Sequence, residues 1–362
     1  MATNVTGISR DLIIHPGETI GDILEERGIS QAELATRTGV TPTYINNVIK
    51  GKKDISAKFA LSLEYALGVS KSFWINLQAN YDAELLEANE SATITEEERN
   101  TCHSLNEIIK YLREEGRIPV DIKNDSLILS LRKVFQISNI SNLKSIIPNG
   151  AFRLSSKAKV DPYVMGAWIR LCQIAGENRK ISNSFDKSKV SELVSKTKDI
   201  MCNQDKFNPD SLKNLFFDYG IDFSIARNFR GAPVNGYISK KKDMTYQMVL
   251  TIRGSYADIF WFSLFHELAH IVNDDLNKSG SYIDYDKNDI KETLADEFAC
   301  NSLIDPDNYC CFIEQANFTW NSIETFAKSQ NVKPYIVLGR LQREHLIEYS
   351  RFASKKTRYK WA

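Results

Sequence analysis

Five residues, 266–270, read His-Glu-Leu-Ala-His and have the types and spacing of a zinc-protease helix. Positions four apart lie on one face of an α-helix, so the imidazoles of His266 and His270 can bind one metal ion. Glu267 then lies beside that ion, where its carboxylate can act as general base on the metal-activated water. Only five histidines occur in the chain, so a chance match has odds on the order of one in a hundred or less.

The residues around this motif predict a deeply buried helix. The segment 259–265 before it is almost entirely apolar, and Ile271 and Val272 continue that pattern. Two histidines and a glutamate in such a helix need partners, because a polar group buried without one costs free energy. Metal ligation supplies those partners, whereas a helix used only for packing would be expected to carry Leu and Ala there.

A zinc site also needs a third protein ligand and one open position. The segment from Glu292 to about Ile304 is predicted to be helical, and Glu292 and Asp296 lie four apart on one face. Glu292 is the expected third ligand, and Glu297 is the competing candidate. Asp296 is expected to accept a hydrogen bond from the other ring nitrogen of a ligand histidine. A solvent-exposed acidic face is the alternative for this helix.

The N-terminal eighty residues predict a series of short helices with a helix-turn-helix among them. Segments 30–39 and 41–50 have its spacing, with Ser30 and Thr41 as N-caps and Gly39 in the turn. The side chains expected to face DNA suit base edges and phosphates. They are Gln31, Thr41, Thr43, Tyr44, Asn46, Asn47 and Lys50. The alternative is a helical bundle with polar outer faces, since the domain lacks a strong basic patch.

The length and composition of the chain are typical of a multidomain globular protein. The chain has 362 residues, a net charge of zero and six cysteines without CxxC spacing. Its length predicts two to three domains, and its thiols are typical of a reducing cytoplasm. No apolar run is long enough for a membrane span, and the N-terminus lacks the features of a secretory signal. A cytoplasmic location without membrane contact is therefore expected.

The element pattern predicts an α+β, mainly helical protein. The expected divisions are a helix-turn-helix domain at 1–87, a linker at 88–101, a helical domain at 102–205 and a metal-binding domain at 206–362. The last of these ends in a basic tail around residues 355–358. The segment 246–252 is predicted to be a strand directly before the motif helix. Such a strand can hold an extended substrate by β-augmentation, although an ordinary core strand is equally expected.

Residues 15–81 resemble a HigA-type antitoxin. The resemblance lies in His-Pro-Gly-Glu at 15–18, Gly-Ile-Ser-Gln-Ala-Glu-Leu-Ala at 28–35 and Phe-Trp-Ile-Asn-Leu-Gln-Ala-Asn-Tyr at 73–81. It implies a five-helix Cro/repressor-type fold. It also implies a homodimer that binds a palindromic operator, commonly at its own promoter, and that neutralises a cognate toxin.

Residues from about 210 to 350 resemble the ImmA/IrrE metallopeptidase-like family. The resemblance lies in Trp-Phe-Ser-Leu-Phe-His-Glu-Leu-Ala-His at 261–270 and Glu-Thr-Leu-Ala-Asp-Glu-Phe-Ala at 292–299. Relatives often carry a second Glu where this chain has Leu294. The resemblance implies a zincin-like α+β domain that binds Zn²⁺. Members of that family are known or supposed to cleave repressor proteins, and some act without proteolysis.

Two hypotheses of different classes follow. The first is a DNA-binding antitoxin-type regulator whose Zn²⁺, held by His266, His270 and Glu292, works with Glu267 to cleave a regulator protein. Another regulator, or the N-terminal domain of this chain, is the expected substrate, and the oxyanion donor is not identified beyond the nearby Arg253 and Tyr246. The second is a non-catalytic antitoxin or repressor whose zinc site is structural or senses a ligand.

Overall fold

The structure is a computed structural model in which helices predominate. It describes residues 13–147, 160–177, 179, 181–203, 208–241, 245–252, 255–276, 281–283 and 290–359. The chain divides into two compact units, Met1–Glu96 with Lys123–Leu129 and Glu97–Ile122 with Ser130–Ala362. In the described ranges, helices and one small sheet confirm the prediction of an α+β, mainly helical protein. None of the helices in these ranges has the length and apolar character needed to cross a bilayer.

Five α-helices follow one another at the N-terminus of the first unit. Their bounds are α1 Pro16–Arg27, α2 Gln31–Thr38, α3 Pro42–Ile49, α4 Ala57–Leu67 and α5 Lys71–Asn89. The hydroxyls of Ser30, Thr41, Ser56 and Ser70 accept backbone N–H groups at the starts of α2 to α5. These caps satisfy donors that the helix itself leaves unbonded, and they fix where each helix begins. Gly39 then ends α2 with a φ of 71°, a conformation that favours glycine.

The core of the first unit fixes the orientation of α3. Ile45 and Val48, three residues apart on one face of α3, are fully buried against Leu34, Leu63 and Trp74. Burying side chains of this size stabilises a fold by about 1.5–3 kcal/mol each. The opposite face of α3 is thereby turned away from the core.

Helices continue through the segment expected to be a linker. Residues 88–101 comprise the end of α5, a 3₁₀ turn at Glu90–Thr93 and most of α6, Glu96–Ser104. The next helices are α7 Asn106–Glu114, α8 Asn124–Phe135, α9 Pro162–Glu177, α10 Val190–Asn203 and α11 Pro209–Asp218. Residues 102–205, apart from 123–129, lie in the same compact unit as the His-Glu-Leu-Ala-His motif. Their assignment to a separate domain stays a prediction.

A four-stranded sheet lies in the second unit. Its strands are β1 Ile221–Ala226, β2 Gly236–Lys240, β3 Tyr246–Thr251 and β4 Ser281–Ile283, in the order β1-β3-β2-β4. Strand β3 is parallel to β1 and antiparallel to β2, so it is paired along both edges. The hypothesis that segment 246–252 binds substrate by β-augmentation is therefore wrong, because no edge of β3 is left to pair.

Five further α-helices follow in the described part of the second unit. They are α12 Ala257–Val272, α13 Ile290–Leu303, α14 Pro306–Glu314, α15 Trp320–Ser329 and α16 Pro334–Arg343. Helix α12 packs against β2, β3, α13 and α16, and it shares their hydrophobic core. A helix enclosed in this way is apolar on nearly all sides, which explains the almost continuous apolar run before the motif.

The basic segment near the C-terminus packs on the start of α12. Thr357 and Tyr359 exchange backbone hydrogen bonds with Ala257 and Ser255, at 3.0 and 2.7 Å. The Trp261 indole donates to the Tyr359 hydroxyl at 2.7 Å, and both side chains are buried. Within the described ranges, residues 355–359 are thus anchored on the second unit.

Candidate metal centre and candidate nucleic-acid interface

Three side chains from two helices converge in the interior of the second unit. His266 and His270 of α12 and Glu292 of α13 are all buried. The Nε2 atom of His266 lies 3.2 Å from Nε2 of His270 and 3.1 Å from Oε2 of Glu292. Nε2 of His270 lies 3.5 Å from Oε1 of Glu292. The structure therefore brings together the three residues that the sequence nominated as metal ligands.

A carboxylate lies behind each imidazole. Nδ1 of His266 is 2.9 Å from Oδ1 of Asp296, and Nδ1 of His270 is 2.9 Å from Oδ2 of Asp275. A carboxylate oxygen accepts, so each Nδ1 carries the proton and donates it. In neutral rings this leaves the lone pair of each Nε2 directed at the other histidine and at Glu292.

This donor set fits a divalent cation. The lone pairs on the two Nε2 atoms and the negative charge of the Glu292 carboxylate face one another. They repel unless a positive charge lies between them. Burial lowers the pKa of His270, so a second proton on that ring is disfavoured as the balancing charge. Two nitrogens bound to one tetrahedral zinc lie about 3.3 Å apart, and the observed separation of 3.2 Å matches this.

Asp296 is held in its ionised form by its neighbours. Burial alone would raise the pKa of this carboxyl group, but the hydrogen bond from His266 and the charge of Arg343 outweigh burial and lower the pKa. The guanidinium of Arg343 donates to Oδ2 of Asp296 at 2.6 Å. Asp296 thus occupies the supporting position expected from the sequence.

Sequence reasoning missed Asp275, the carboxylate behind His270. Asp275 lies five residues after His270, just beyond the end of α12, and it is buried. Its backbone N–H donates to the carbonyl of His270 at 3.0 Å, which places the carboxylate beside the ring. An acidic residue one turn beyond the second histidine was the only available signal. Glu297, the competing ligand candidate, is exposed and lies outside the cluster.

Glu267 is fully buried beside the cluster and lines the adjacent cavity. Strand β2 approaches it closely at Gly236, where an added Cβ would lie 2.0 Å from Oε1 of Glu267. Only glycine leaves this space, so the position of the Glu267 carboxylate depends on the absence of a side chain at 236.

A cavity of about 830 Å³ opens next to the cluster. Its lining includes His266, Glu267 and Glu292, with Asn235 directly before β2 and Arg343 at the end of α16. A volume of this size accommodates a segment of polypeptide or a ligand of similar bulk. Of the two residues considered for the oxyanion, Tyr246 lies in the core outside this lining, and Arg253 lies outside the described residues.

A second candidate site lies on the outer face of α2 and α3. Gln31, Thr41, Thr43 and Lys50 are exposed, while Tyr44, Asn46 and Asn47 are partly exposed. All seven nominated residues thus have surface available to a ligand. They lie around the short turn at Gly39, as in a helix-turn-helix reader.

Cations collect at the end of α3. The backbone N–H groups of Lys52 and Lys53 donate to the Asn47 carbonyl at 2.8 and 3.2 Å, and Nζ of Lys53 lies 4.7 Å from the Tyr44 ring centroid. With Lys50 in the capping position, three exposed lysines lie at the C-terminal end of α3, and the ammonium group of Lys53 lies over Tyr44. Groups of this kind bind phosphates and orient a reader helix on a duplex.

Comparison with known proteins bears on the N-terminal residues. The family model "Helix-turn-helix" (HTH_3) matches residues 20–74. The chain is 32% identical over 80 residues to "Virulence-associated protein I" of Dichelobacter nodosus, covering 22% of this chain and 74% of that protein. It is 30% identical over 63 residues to "Uncharacterized HTH-type transcriptional regulator YddM" of Escherichia coli, covering 17% of this chain and 67% of that protein.

Among solved structures, "Pseudomonas aeruginosa antitoxin HigA with higBA promoter" is 35% identical, with a TM-score of 0.21. That match covers 22% of this chain and 89% of the antitoxin. Across the curated relatives, the matches span 60–74% of each relative's own length. The family model thus confirms the predicted N-terminal helix-turn-helix.

Proposed function

Through residues 20–74 this chain belongs to the HTH_3 helix-turn-helix family, and on that premise we propose that it is a DNA-binding transcriptional regulator of antitoxin type. It acts in the cytoplasm as a homodimer that binds a palindromic operator at its own promoter. The named regulator among its relatives supports the regulatory role. Because residues 15–81 resemble a HigA-type antitoxin, the proposal includes a cognate toxin as a second binding partner.

In this proposal α3 lies in the major groove and its outward side chains contact base edges. The amides of Asn46 and Asn47 have the donor and acceptor needed to pair with adenine. Lys50, Lys52 and Lys53 bind the flanking phosphates and set the register of the helix on DNA. Two readers related by a two-fold axis would contact half-sites about 34 Å apart.

Replacing Asn46 and Asn47 together by Ala is expected to weaken operator binding, because each lost base contact costs roughly 1–3 kcal/mol. The operator is first selected from a random DNA library with the wild-type protein, and affinity is then measured by fluorescence anisotropy. Asn76 and Asn80, two exposed amides on α5, provide the matched control when both are replaced by Ala. Equal affinities of the two double variants would reject α3 as the reader.

The second unit binds Zn²⁺ through His266, His270 and Glu292 and hydrolyses a peptide bond. The convergence of the two Nε2 atoms and the Glu292 carboxylate carries this part of the proposal. Bound there, zinc would polarise a substrate carbonyl and lower the pKa of a water molecule. The resemblance of residues from about 210 to 350 to the ImmA/IrrE family also supports this part of the proposal, and it implies that the domain has a zincin-like fold.

The chain's own residues supply the proton transfers. The Glu267 carboxylate accepts a proton from the attacking water as the new carbon–oxygen bond forms. It then delivers that proton to the amide nitrogen as the carbon–nitrogen bond breaks. The substrate in this proposal is a polypeptide, either another regulator or the N-terminal part of this chain, and the adjacent cavity of about 830 Å³ has room for a segment of it.

The alternative is a non-catalytic regulator whose zinc site is structural or senses a ligand. Structural zinc sites are closed by four protein ligands, whereas catalytic sites keep one position open. The triad of two histidines and one glutamate with a cavity beside it supports the catalytic form. Measuring peptide hydrolysis by protein of known zinc content distinguishes the two functions, because only the catalytic form cleaves peptides.

A further inference from the structure

We propose that Arg343 is a positioning residue of the metal centre, which acts through Asp296 on the ligand His266. This inference rests on the proposed zinc site and extends it to α16, an element that carries no ligand. It assigns a role to a side chain that lies 47 positions from Asp296 along the chain.

The geometry at Asp296 carries the inference. Its Oδ1 accepts the Nδ1–H of His266 at 2.9 Å, and its Oδ2 accepts from Nη2 of Arg343 at 2.6 Å. Each carboxylate oxygen therefore has its own donor, and rotation of the carboxylate would break both bonds. A carboxylate fixed in this way holds the His266 ring in one orientation and one tautomer.

Arg343 is itself held on a platform next to the ligand. Its guanidinium lies 4.5 Å from the ring centroid of Phe262, which is one helical turn before His266 on α12. The cation–π contact with Phe262 and the bond to Asp296 hold the half-exposed guanidinium on two sides. Arg343 ends α16 and thus links this helix to both α12 and α13 at the metal centre.

The second histidine has a similar but looser chain of contacts. Lys291 places Nζ 3.8 Å from Oδ1 of Asp275, the carboxylate behind His270. Each imidazole is thus followed by a carboxylate and then by a cation. The bond from Arg343 is the shorter one and the one made by a planar group with fixed donors, so it is the stronger determinant of ligand orientation.

The test is zinc affinity, measured by competition with a chromophoric chelator on the full chain. Arg343→Met keeps the bulk over Phe262 but removes the charge and the donors. We expect it to weaken zinc binding about tenfold, at the lower end of the effect of supporting residues. Arg343→Lys should recover part of that loss. The visible absorption of the Co²⁺-loaded protein should shift in Arg343→Met, because the ligand field reports the orientation of His266.

Arg340→Met is the matched control. Arg340 lies one turn earlier on the same helix. Its guanidinium bonds to Glu344 at 3.0 Å and lies 3.7 Å from the ring centroid of Tyr309, so among the described residues it is engaged away from the ligands and their carboxylates. The Arg340→Met variant should have the zinc affinity and the Co²⁺ spectrum of the wild type. Combining Arg343→Met with Asp296→Asn should add little to Asp296→Asn alone, since both act on the same bond.

Wild-type affinity and spectrum in a folded Arg343→Met, or additive losses in the double variant, would overturn the role assigned to Arg343. An equal loss in Arg340→Met would also overturn it, because the effect would then belong to α16 in general. A folded wild type that binds neither Zn²⁺ nor Co²⁺ would instead reject the proposed zinc site itself. The two failures are therefore distinguishable.

Discussion

Replacing Glu267 by Gln is expected to lower peptide hydrolysis by about 10²- to 10⁴-fold while zinc content and fold stay at wild-type levels. Gln has nearly the same volume as Glu, so it fits the buried space beside Gly236. Its amide cannot accept the proton of the attacking water. The measurement is the rate of cleavage of a synthetic peptide library, followed by mass spectrometry, with zinc quantified in the same preparations.

Glu297→Gln is the control for this experiment. Glu297 is an exposed carboxylate in the lining of the same cavity, and it lies outside the ligand cluster. The same chemical change there should leave cleavage near the wild-type rate. Cleavage by zinc-loaded Glu267→Gln at the wild-type rate would refute the role of Glu267. A zinc-loaded wild type that cleaves no peptide would favour the non-catalytic regulator.

Gly236→Ala is expected to disturb the same site from the opposite side. The new Cβ would lie 2.0 Å from Oε1 and 2.2 Å from Cδ of Glu267, closer than atoms can approach. The carboxylate or strand β2 must move, and overpacking of this kind costs about 1–3 kcal/mol of unfolding free energy. Because β2 is hydrogen-bonded to β3 and β4, the Glu267 side chain is the partner that we expect to move, and hydrolysis should then fall by a factor comparable to that of Glu267→Gln.

A double-mutant cycle tests whether the loss of unfolding free energy in Gly236→Ala comes from the contact with Glu267. In a Glu267→Ala background the clash is relieved, so Gly236→Ala should lower the free energy of unfolding by less than it does in the wild type. Gly21→Ala serves as a reference, because its Cβ would meet only Ile49 Cγ2 at an ordinary 3.6 Å. Chemical denaturation measures all four variants. An equal cost of Gly236→Ala in both backgrounds would show that the contact with Glu267 is not responsible.

The local features of the N-terminal helices could be predicted from the sequence because their signals are local. Ser30 and Thr41 each cap a helix through a backbone N–H three residues ahead, and Gly39 turns the chain at one position. The placement of His266 and His270 on one helical face depends likewise on spacing alone. Features of this kind require no knowledge of the tertiary fold.

The supporting features of the candidate metal site could not be predicted because they depend on tertiary contacts. Gly236 reaches Glu267 through strand pairing, and Arg343 reaches Asp296 through the packing of α16 against α12. Neither position carries a pattern that points to its partner. The substrate-binding role considered for segment 246–252 was wrong for a related reason, since strand order within a sheet is a property of the whole fold.

The central claim is that His266, His270 and Glu292 hold one zinc ion. Elemental analysis of the purified protein, with wild type beside His266→Ala, tests it most directly. We expect one zinc per chain in the wild type and little or none in a folded His266→Ala. A well-folded wild type without zinc, after purification in zinc-supplemented buffer, would contradict the claim, as would undiminished zinc in the variant.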